Sequence, residues 1–574
     1  MIATCFVGCA AKDEDEAIDD INKAASQEAV TLVMYLMSEE EVSAKQEKAI
    51  EAAVNELTKS KFKTQLDLRF YTPDEYYQAL EKAFADRKAA EAAGKITATN
   101  KKDENTQDEM YEDEWGVSQI KYPSVSDYQV DIFYLGGYNK YKEYMEMEIL
   151  QQLDDEISTG SSKLSSYIST PFLTYMKSAN DGTYALPTNT AIGEYTYLLV
   201  NRDALADLDY DTAEGLKSFT GFTSDAVKDF LADIKTYQLD NADVTESYTH
   251  ALYSNLSQDT LASTGIYYWG VDENGNLSNN FSALASDVNG KYMNMTNVLN
   301  TKFVEHLKTV KYYDEAYDYS SPTAATAFAN GKVAVACITG GAEIPSEYAD
   351  KYEAIVIGQP TLNTMDLYEN MFAVSYYTAS TARSMEIITY LNTDEEFRNL
   401  IQYGIENEDY RLVDSEYTDA EGNPYKVVKP IKNNDGSYDY VMDVNKTGNT
   451  LIAYNVEGEN PGLKEFIKKQ NTEAQISLTM GYRVDYEGFN VDADALASLF
   501  DLSTAVLFAL RSCTYENFDA TVEQLRTQLE SEECVSALLA DVAPEKDGDK
   551  CGLNYSYTDW AIYNGFYTRP EIAE

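Results

Sequence analysis

Only two histidines, His250 and His306, occur in the chain, so multi-histidine metal centres and HExxH zinc sites are absent. No GxSxG nucleophile elbow and no phosphate-cradling GxxxxGK[ST] loop is present. Cys337, Cys513, Cys534 and Cys551 form no CxxC pair, which argues against a zinc or thioredoxin-type site; Cys513 and Cys534 are read either as a bridge or as buried thiols. Glycoside hydrolysis needs only two suitably spaced carboxylates, and 97 Asp and Glu residues leave that reaction open. The side chains available in quantity are therefore those of recognition. Tyrosine stands out, with 47 residues against 20 Phe and 3 Trp. Its ring gives a flat apolar face and its hydroxyl a hydrogen bond, at low conformational-entropy cost. Such groups suit sugar rings, which have apolar C–H faces and polar edges, but they also serve as half-wet replacements for Phe.

The charge balance narrows the partners. With 97 acidic against 45 basic residues the formal net charge is -52. A polyanion of this kind is repelled by nucleic acid and by anionic lipid surfaces, so nucleic acid is not expected as a partner. A cationic ligand is conceivable on the same ground. At 574 residues and 44% hydrophobic content the chain exceeds one ordinary core, and two lobes are expected. No uninterrupted apolar run approaches the ~20 residues of a membrane span.

The N-terminus carries a different signal. Met1 to Ala11, MIATCFVGCAA, is apolar and runs into the acidic stretch KDEDEAIDDINKAASQE. Phe6-Val7-Gly8-Cys9 fits a lipobox, in which small residues precede a cysteine that is lipidated; Cys5 fits less well because Thr4 precedes it. Cys9 is the expected lipidation site, the numbering is expected to begin inside a signal peptide, and residues 1–29 read as signal remnant and flexible tether.

The elements that would position a site follow from periodicity. Val30–Leu36 is a continuous apolar strand; Val42, Ile50, Ala53, Val54 and Leu57 fall at helical spacing; Gln65–Tyr71 alternates; and Asp74 opens a second helix ending near Gly94. Strand, helix, strand, helix begins a parallel α/β sheet with right-handed crossovers. Residues 99–114 read as a polar, mobile surface excursion. Gln129–Leu135 is a further buried strand that runs into Gly136-Gly137-Tyr138, placing backbone at the carboxyl edge, where open α/β sheets bind ligands. Ala327–Gly341 reads as helix end, tight turn, buried strand and Gly-Gly, and Met371–Tyr376 as a short strand. Asp272-Glu273-Asn274-Gly275 and Asn434-Asp435-Gly436 are expected hairpin turns. The last 100 residues read as mainly helical, including Ala493–Leu510 and Ala520–Leu529.

In order and spacing these landmarks resemble family 1 extracellular solute-binding proteins, the substrate-binding lipoproteins of ABC transporters, of a large type common in Firmicutes. The matching stretches are the Cys9 lipobox, Tyr35-Leu36-Met37-Ser38-Glu39, YPSVSDYQVDIFYLGGYNKY at 122–141 and YALP…NRD at 184–203. AFANGKVAVACITGG at 327–341, ITYLNTDEEFRNLIQYGIENEDY at 388–410 and GNTLIAYN with the segment to about 490 continue the pattern. The resemblance implies a periplasmic-binding-protein-like type II fold of two α/β lobes joined by hinge crossovers, with a largely helical C-terminal part. It implies an N-terminal lobe of residues 30–185 plus 362–405 and a C-terminal lobe of 190–358 plus 410–574. It also implies capture of an oligosaccharide by lobe closure without chemistry or cofactor, delivery to ABC permease subunits, and a monomer lipid-anchored at the extracellular face of the cytoplasmic membrane.

Carried over residue by residue, the resemblance makes Ser38 and Glu39 polar contacts after the first strand. It makes Tyr138 and Asn139 sugar contacts after QVDIF, and Glu194 a hydroxyl acceptor on the crossover. Gly340 and Gly341 end the strand whose following loop closes on ligand. A Trp often found just beyond that Gly is replaced here by Ala342-Glu343, so Tyr253, Trp269, Tyr410 or Tyr482 is expected to supply stacking, with Asn189 and Arg483 as weaker polar candidates. A carboxylate accepts a hydroxyl hydrogen bond more strongly than a neutral oxygen, which favours Glu194. Its competing reading is a solvent-facing hinge residue; that of Glu39 is charge at a helix N-terminus. For Tyr138 the alternative is loop packing, and for Trp269 it is core packing. A peptide or polyamine ligand is the main alternative to a sugar.

Overall fold

The structure is a computed structural model describing residues 28–96, 110–112, 117–164, 167–168, 175–176, 182–210, 212, 214–241, 248–271, 277–289, 292–419, 421–484, 491–545 and 549–564. Cys9, the Asp272–Gly275 turn and most of the 99–114 stretch lie outside them. The chain divides into two compact units, residues 1–191 with 365–464 and residues 192–364 with 465–574, so it crosses between units three times.

Nine strands make the two main sheets: β1 (Val30–Met37), β2 (Thr64–Tyr71), β3 (Ile132–Leu135), β4 (Ala185–Pro187), β5 (Tyr195–Asn201), β6 (His250–Ser254), β7 (Val333–Gly340), β8 (Tyr352–Gly358) and β9 (Met371–Val374). The first unit's sheet runs β2-β1-β3-β9-β4. Strands β1, β2 and β3 are parallel, and β9 lies antiparallel between β3 and β4. Leu32 to Leu36 and Ile132 to Leu135 are buried, as strands covered on both faces require. Helix Ala44–Phe62 starts where Ser43 accepts a hydrogen bond from the Gln46 amide, and buries Gln46, Ile50, Val54 and Thr58 along one stripe. Asn55, on that helix, donates to the Leu66 carbonyl and accepts from the Leu66 amide, tying helix to strand.

The second unit's sheet runs β8-β5-β7-β6, with β7 antiparallel to β5 and parallel to β6. Alternation splits its side chains between two cores: Tyr195, Tyr197, Leu199, Ala336 and Ile338 on one face, Leu198, Val200, Val335 and Cys337 on the other. A third core joins Trp269, Leu284 and Phe303 to helices Ala493–Ser512, Phe518–Ser531, Glu533–Leu539 and Leu553–Tyr563, the expected helical C-terminal part. Helix Ala493–Ser512 is long and apolar enough by length and composition to cross a membrane; Leu496, Leu499, Val506 and Leu510 turn into this core. Lys311, itself buried, donates to the Arg511 and Cys513 carbonyls at 2.6 and 2.9 Å, placing a cation on that helix's C-terminal end.

Several expectations change. Residues 410–464 belong to the first unit, not the second. The Ser38 backbone forms a bridge to Met442, Arg398 donates to the Val444 carbonyl, and Asn399 donates to the Ile452 carbonyl. Asn434-Asp435-Gly436 is a turn, closed by the Asn433 and Ser437 backbones, but no strands flank it; the hairpin lies upstream, where Tyr410–Thr418 pairs with Pro424–Pro430. Strands Gly270–Val271 and Leu277–Ser278 do pair antiparallel about the 272–275 position. Met110–Glu112, inside the polar excursion, pairs with Ser118–Ile120. Cys337, Cys513 and Cys534 are free thiols, so Cys513 and Cys534 do not bridge.

Candidate functional site

The first unit's strand directions bring the carboxyl ends of β1 to β4 and the start of β9 to one sheet edge, where open α/β sheets take ligands. Ser38 stands at the end of β1. It is fully buried, its amide donates to the Tyr71 carbonyl at 2.9 Å, and its hydroxyl finds no hydrogen-bond partner among the described residues. Glu39 follows, exposed, and its carboxylate accepts from Lys446 at 2.8 Å; Lys446 also lies 3.3 Å from Asp443. At the end of β3 the Gly137 amide donates to the Tyr368 carbonyl, and φ of +85° at Gly137 turns the chain into helix Tyr138–Glu146. Tyr138 packs edge-on against Tyr368 at 5.1 Å, and Asn139 is exposed on the same turn. Beyond β4, the Asn189 carbonyl accepts from the Thr450 amide and hydroxyl at 3.0 and 2.9 Å, so Asn189 anchors the 450 segment through its backbone. Tyr410 lies elsewhere, 7% exposed on the hairpin and packed against Tyr403 at 5.9 Å. With its ring covered, Tyr410 offers no stacking face.

In the second unit the corresponding edge holds the ends of β6, β7 and β8 and the start of β5. Register sets Gly340 opposite Tyr195. Glu194, one residue before β5, is exposed on this edge. Gly341 accepts, at its carbonyl, a hydrogen bond from the Tyr197 hydroxyl at 3.0 Å. A Cβ at Gly341 would collide with the Glu343 carboxylate, which folds back over this backbone. Tyr253 is half-buried and forms one end of a three-ring stack, 4.8 Å from Phe328, which lies 5.5 Å from Tyr348.

Sequence reasoning missed part of this edge. Tyr195 and Tyr197 have ring centroids 5.5 Å apart, and the Tyr195 hydroxyl donates to Glu473, far away in sequence. Burial, followed by the nearby Glu343 and Glu473 charges, pushes the Tyr197 hydroxyl up to about 12. Both phenols therefore stay protonated donors at neutral pH. The Tyr-x-Tyr alternation entering β5 was the signal available, but nothing local points to Glu343 or Glu473.

Two further aromatic expectations fail with that of Tyr410, those for Trp269 and Tyr482. Trp269 is 1% exposed in the helical core, with Tyr557 and Tyr267 rings 4.8 and 5.3 Å away. Its indole N–H donates to the Ser286 hydroxyl at 2.9 Å, so neither face nor edge is free for ligand. Tyr482 belongs to the same core.

An open cavity of about 670 Å³ in the second unit is lined by Asp287, Lys302, Glu305, Lys308 and Arg526 among others, none of them at the sheet edge described above. Lys308 and Arg526 are already paired, with Asp519 at 2.6 Å and Glu523 at 2.7 Å. Nearby His306 contacts the Thr223 hydroxyl through Nδ1 at 2.7 Å, and burial holds its imidazole below the usual histidine value. The unfolded chain therefore takes up this proton more readily, and stability falls as pH drops below about 6.5. Exchanging His306 for Gln is expected to flatten that component: the urea midpoint should fall less between pH 7 and 5 in His306→Gln than in the parent protein.

No family model matches the chain, and no curated protein matches it. Solved structures do. The N-glycan transport solute binding protein of Streptococcus pneumoniae is 16% identical, with 93% of this chain and 99% of that one covered and a TM-score of 0.51. A human-milk-oligosaccharide-binding, ABC-transporter-associated solute binding protein of Bifidobacterium longum infantis is 12% identical over 93% and 99%, at a TM-score of 0.44. The sugar-binding protein MalE of Xanthomonas citri is 12% identical over 88% and 97%, at 0.35. The first of these likenesses establishes the architecture: two α/β units, each assembled from discontinuous chain segments, in the fold of a solute-binding protein.

Proposed function

We propose that this chain is the substrate-binding component of an ABC importer. In this reading it captures a carbohydrate, an oligosaccharide, with side chains from the carboxyl sheet edges of both units. It then delivers that cargo to membrane permease subunits without chemistry. The observation that carries the reading is the likeness, along nearly the whole length of both chains, to a solute-binding protein of N-glycan transport. The sheet edges support it: Ser38, Glu39, Tyr138 and Asn139 lie at the carboxyl edge of the first sheet and Glu194, Tyr253 and Gly341 at that of the second, and open α/β sheets bind ligands at such edges. Ligand contacts on both units would favour a closed form over an open one, a population shift needing no catalytic group. An extracellular location with a lipid on Cys9 belongs to the same proposal; lipoproteins of this class carry more than one acyl chain, since one alone binds a membrane marginally.

A thermal-shift screen of the purified soluble body against oligosaccharides, peptides and polyamines tests the reading. A ligand at 100 times its Kd stabilises by about 2.7 kcal/mol, a readily visible shift. A glycan hit recovered intact supports the proposal. Response to a peptide or polyamine alone overturns the sugar assignment, and cleavage of the glycan points to a hydrolase. With the glycan in hand, Glu194→Ala is expected to weaken binding by roughly 1–3 kcal/mol, the cost of losing a charged acceptor. Unchanged affinity in calorimetry removes Glu194 from the site.

A further inference from the structure

Three chain segments enter or leave the second unit, at 191/192, 364/365 and 464/465. Within that unit all three are tied together. Helix Leu463–Glu473, which spans the last crossing, places Gln470 and Asn471 against the first segment. The Gln470 side-chain amide donates to the Ile192 carbonyl at 3.0 Å and also to the Gly193 carbonyl. Asn471 accepts from the Ile192 amide at 2.9 Å. Gln470 is 3% exposed, so its polar atoms have no water to fall back on. The chain leaving this helix then pairs with the middle segment. The Gln475 amide donates to the Pro360 carbonyl at 2.8 Å, the Ser477 amide to the Leu362 carbonyl at 2.9 Å, and Thr361–Leu362 runs parallel to Gln475–Ile476. Thr364 completes the tie, donating to the Thr479 carbonyl and accepting from the Gly481 amide, both at 3.0 Å.

The first and middle segments also touch. Gly193 adopts φ of +53°, and a Cβ there would lie 3.1 Å from the Thr361 nitrogen and 3.3 Å from its oxygen. Glycine serves both needs, the left-handed backbone and the close approach of another main chain. At its end the helix holds β5 as well, through Glu473 and the Tyr195 hydroxyl.

We infer that helix Leu463–Glu473 is a clasp, with Gln470 and Asn471 as positioning residues. They lock the three crossing segments into one junction carried by the second unit, and so fix the start of β5, where Glu194 and Tyr195 stand. The inference goes beyond the capture function and does not depend on the ligand's being a sugar. Any rearrangement at the crossings then takes place on the first-unit side of this junction, because the second-unit side moves as one piece.

Hydrogen exchange on the whole protein tests the clasp without a ligand. Gln470→Met keeps the length of the side chain and removes its donors. Exchange is expected to accelerate roughly tenfold or more at the Ile192 amide and, together with it, at the Gln475 and Ser477 amides. Peptides from β1 and from Ala493–Ser512 should not change. Gln470→Glu preserves shape but not the amide donor, and is expected to behave like Gln470→Met. Gly193→Ala reaches the junction by another route, pushing the first segment off Thr361, and should give the same three-site pattern. Acceleration at Ile192 alone, no acceleration, or parent-like behaviour of Gln470→Glu overturns the inference.

Discussion

Replacing Trp269 by Ala is expected to destabilise the protein by about 3–5 kcal/mol, the range for emptying a large aromatic from a packed core. The indole is 1% exposed, packs edge-to-face with Tyr557 at 4.8 Å and Tyr267 at 5.3 Å, and satisfies its N–H on Ser286. Little can collapse into the space, because Trp269 sits between the 284–303 segment and the C-terminal helices that share this core. Trp269→Phe, which keeps most of the ring but strands the Ser286 hydroxyl, should cost less, about 1–3 kcal/mol. Chemical denaturation of both variants checks the order. The same pair separates packing from recognition. A sugar-stacking Trp would lose ligand affinity on truncation and leave the unfolding midpoint nearly in place. A core Trp lowers the midpoint and leaves the affinity of the folded fraction intact.

The mistaken expectation for Trp269 has a physical origin. Period-2 alternation through Tyr267-Tyr268-Trp269 tells which residues share a face, but not whether that face meets water or another helix. The helices covering it begin more than 220 residues later, at Ala493. The same limit explains residues 410–464. Their hairpin and turns are legible locally, but their place in the first unit rests on Arg398 reaching Val444 and Asn399 reaching Ile452, bonds that no periodicity announces. The α/β start of the chain was legible for the opposite reason. Strand β1, the Ala44–Phe62 helix, β2 and the Pro73–Ala92 helix are adjacent in sequence and in space, and each carries its own period, with Ser43 as cap for the first helix. At the candidate site, Gly136-Gly137 and Gly340-Gly341 were readable as strand ends because glycine marks places where backbone must turn or approach closely. Tyr195 and Glu473 were not readable as a pair, since only the fold brings two positions so distant in sequence to 2.5 Å.

Asp131 shows how a strand that sequence identifies as merely buried holds the first unit's sheet in register. One carboxylate oxygen accepts from the Val33 amide and the Gln129 side chain, each at 2.8 Å; the other accepts from the Thr378 hydroxyl at 2.8 Å and the Ala379 amide at 2.6 Å. The residue is fully buried. Four donors from three separate stretches thus converge on one side chain, joining β1, the entry to β3 and the loop after β9. Asp131→Asn changes no volume, yet turns one acceptor oxygen into an NH₂ group that faces two donors whichever way the amide is flipped. Stranding buried donors costs about 1–3 kcal/mol each, so a loss of roughly 2–6 kcal/mol is expected in denaturant unfolding. Asp131→Ala should be no milder, since it removes the carboxylate from all four donors at once. If Asp131→Asn unfolds at the parent midpoint, the donors have found other partners and the carboxylate is not what ties β1 to β9. Parallel β1 and β3 have no hairpin to set their register, and a side chain that reads both strands at once supplies that constraint.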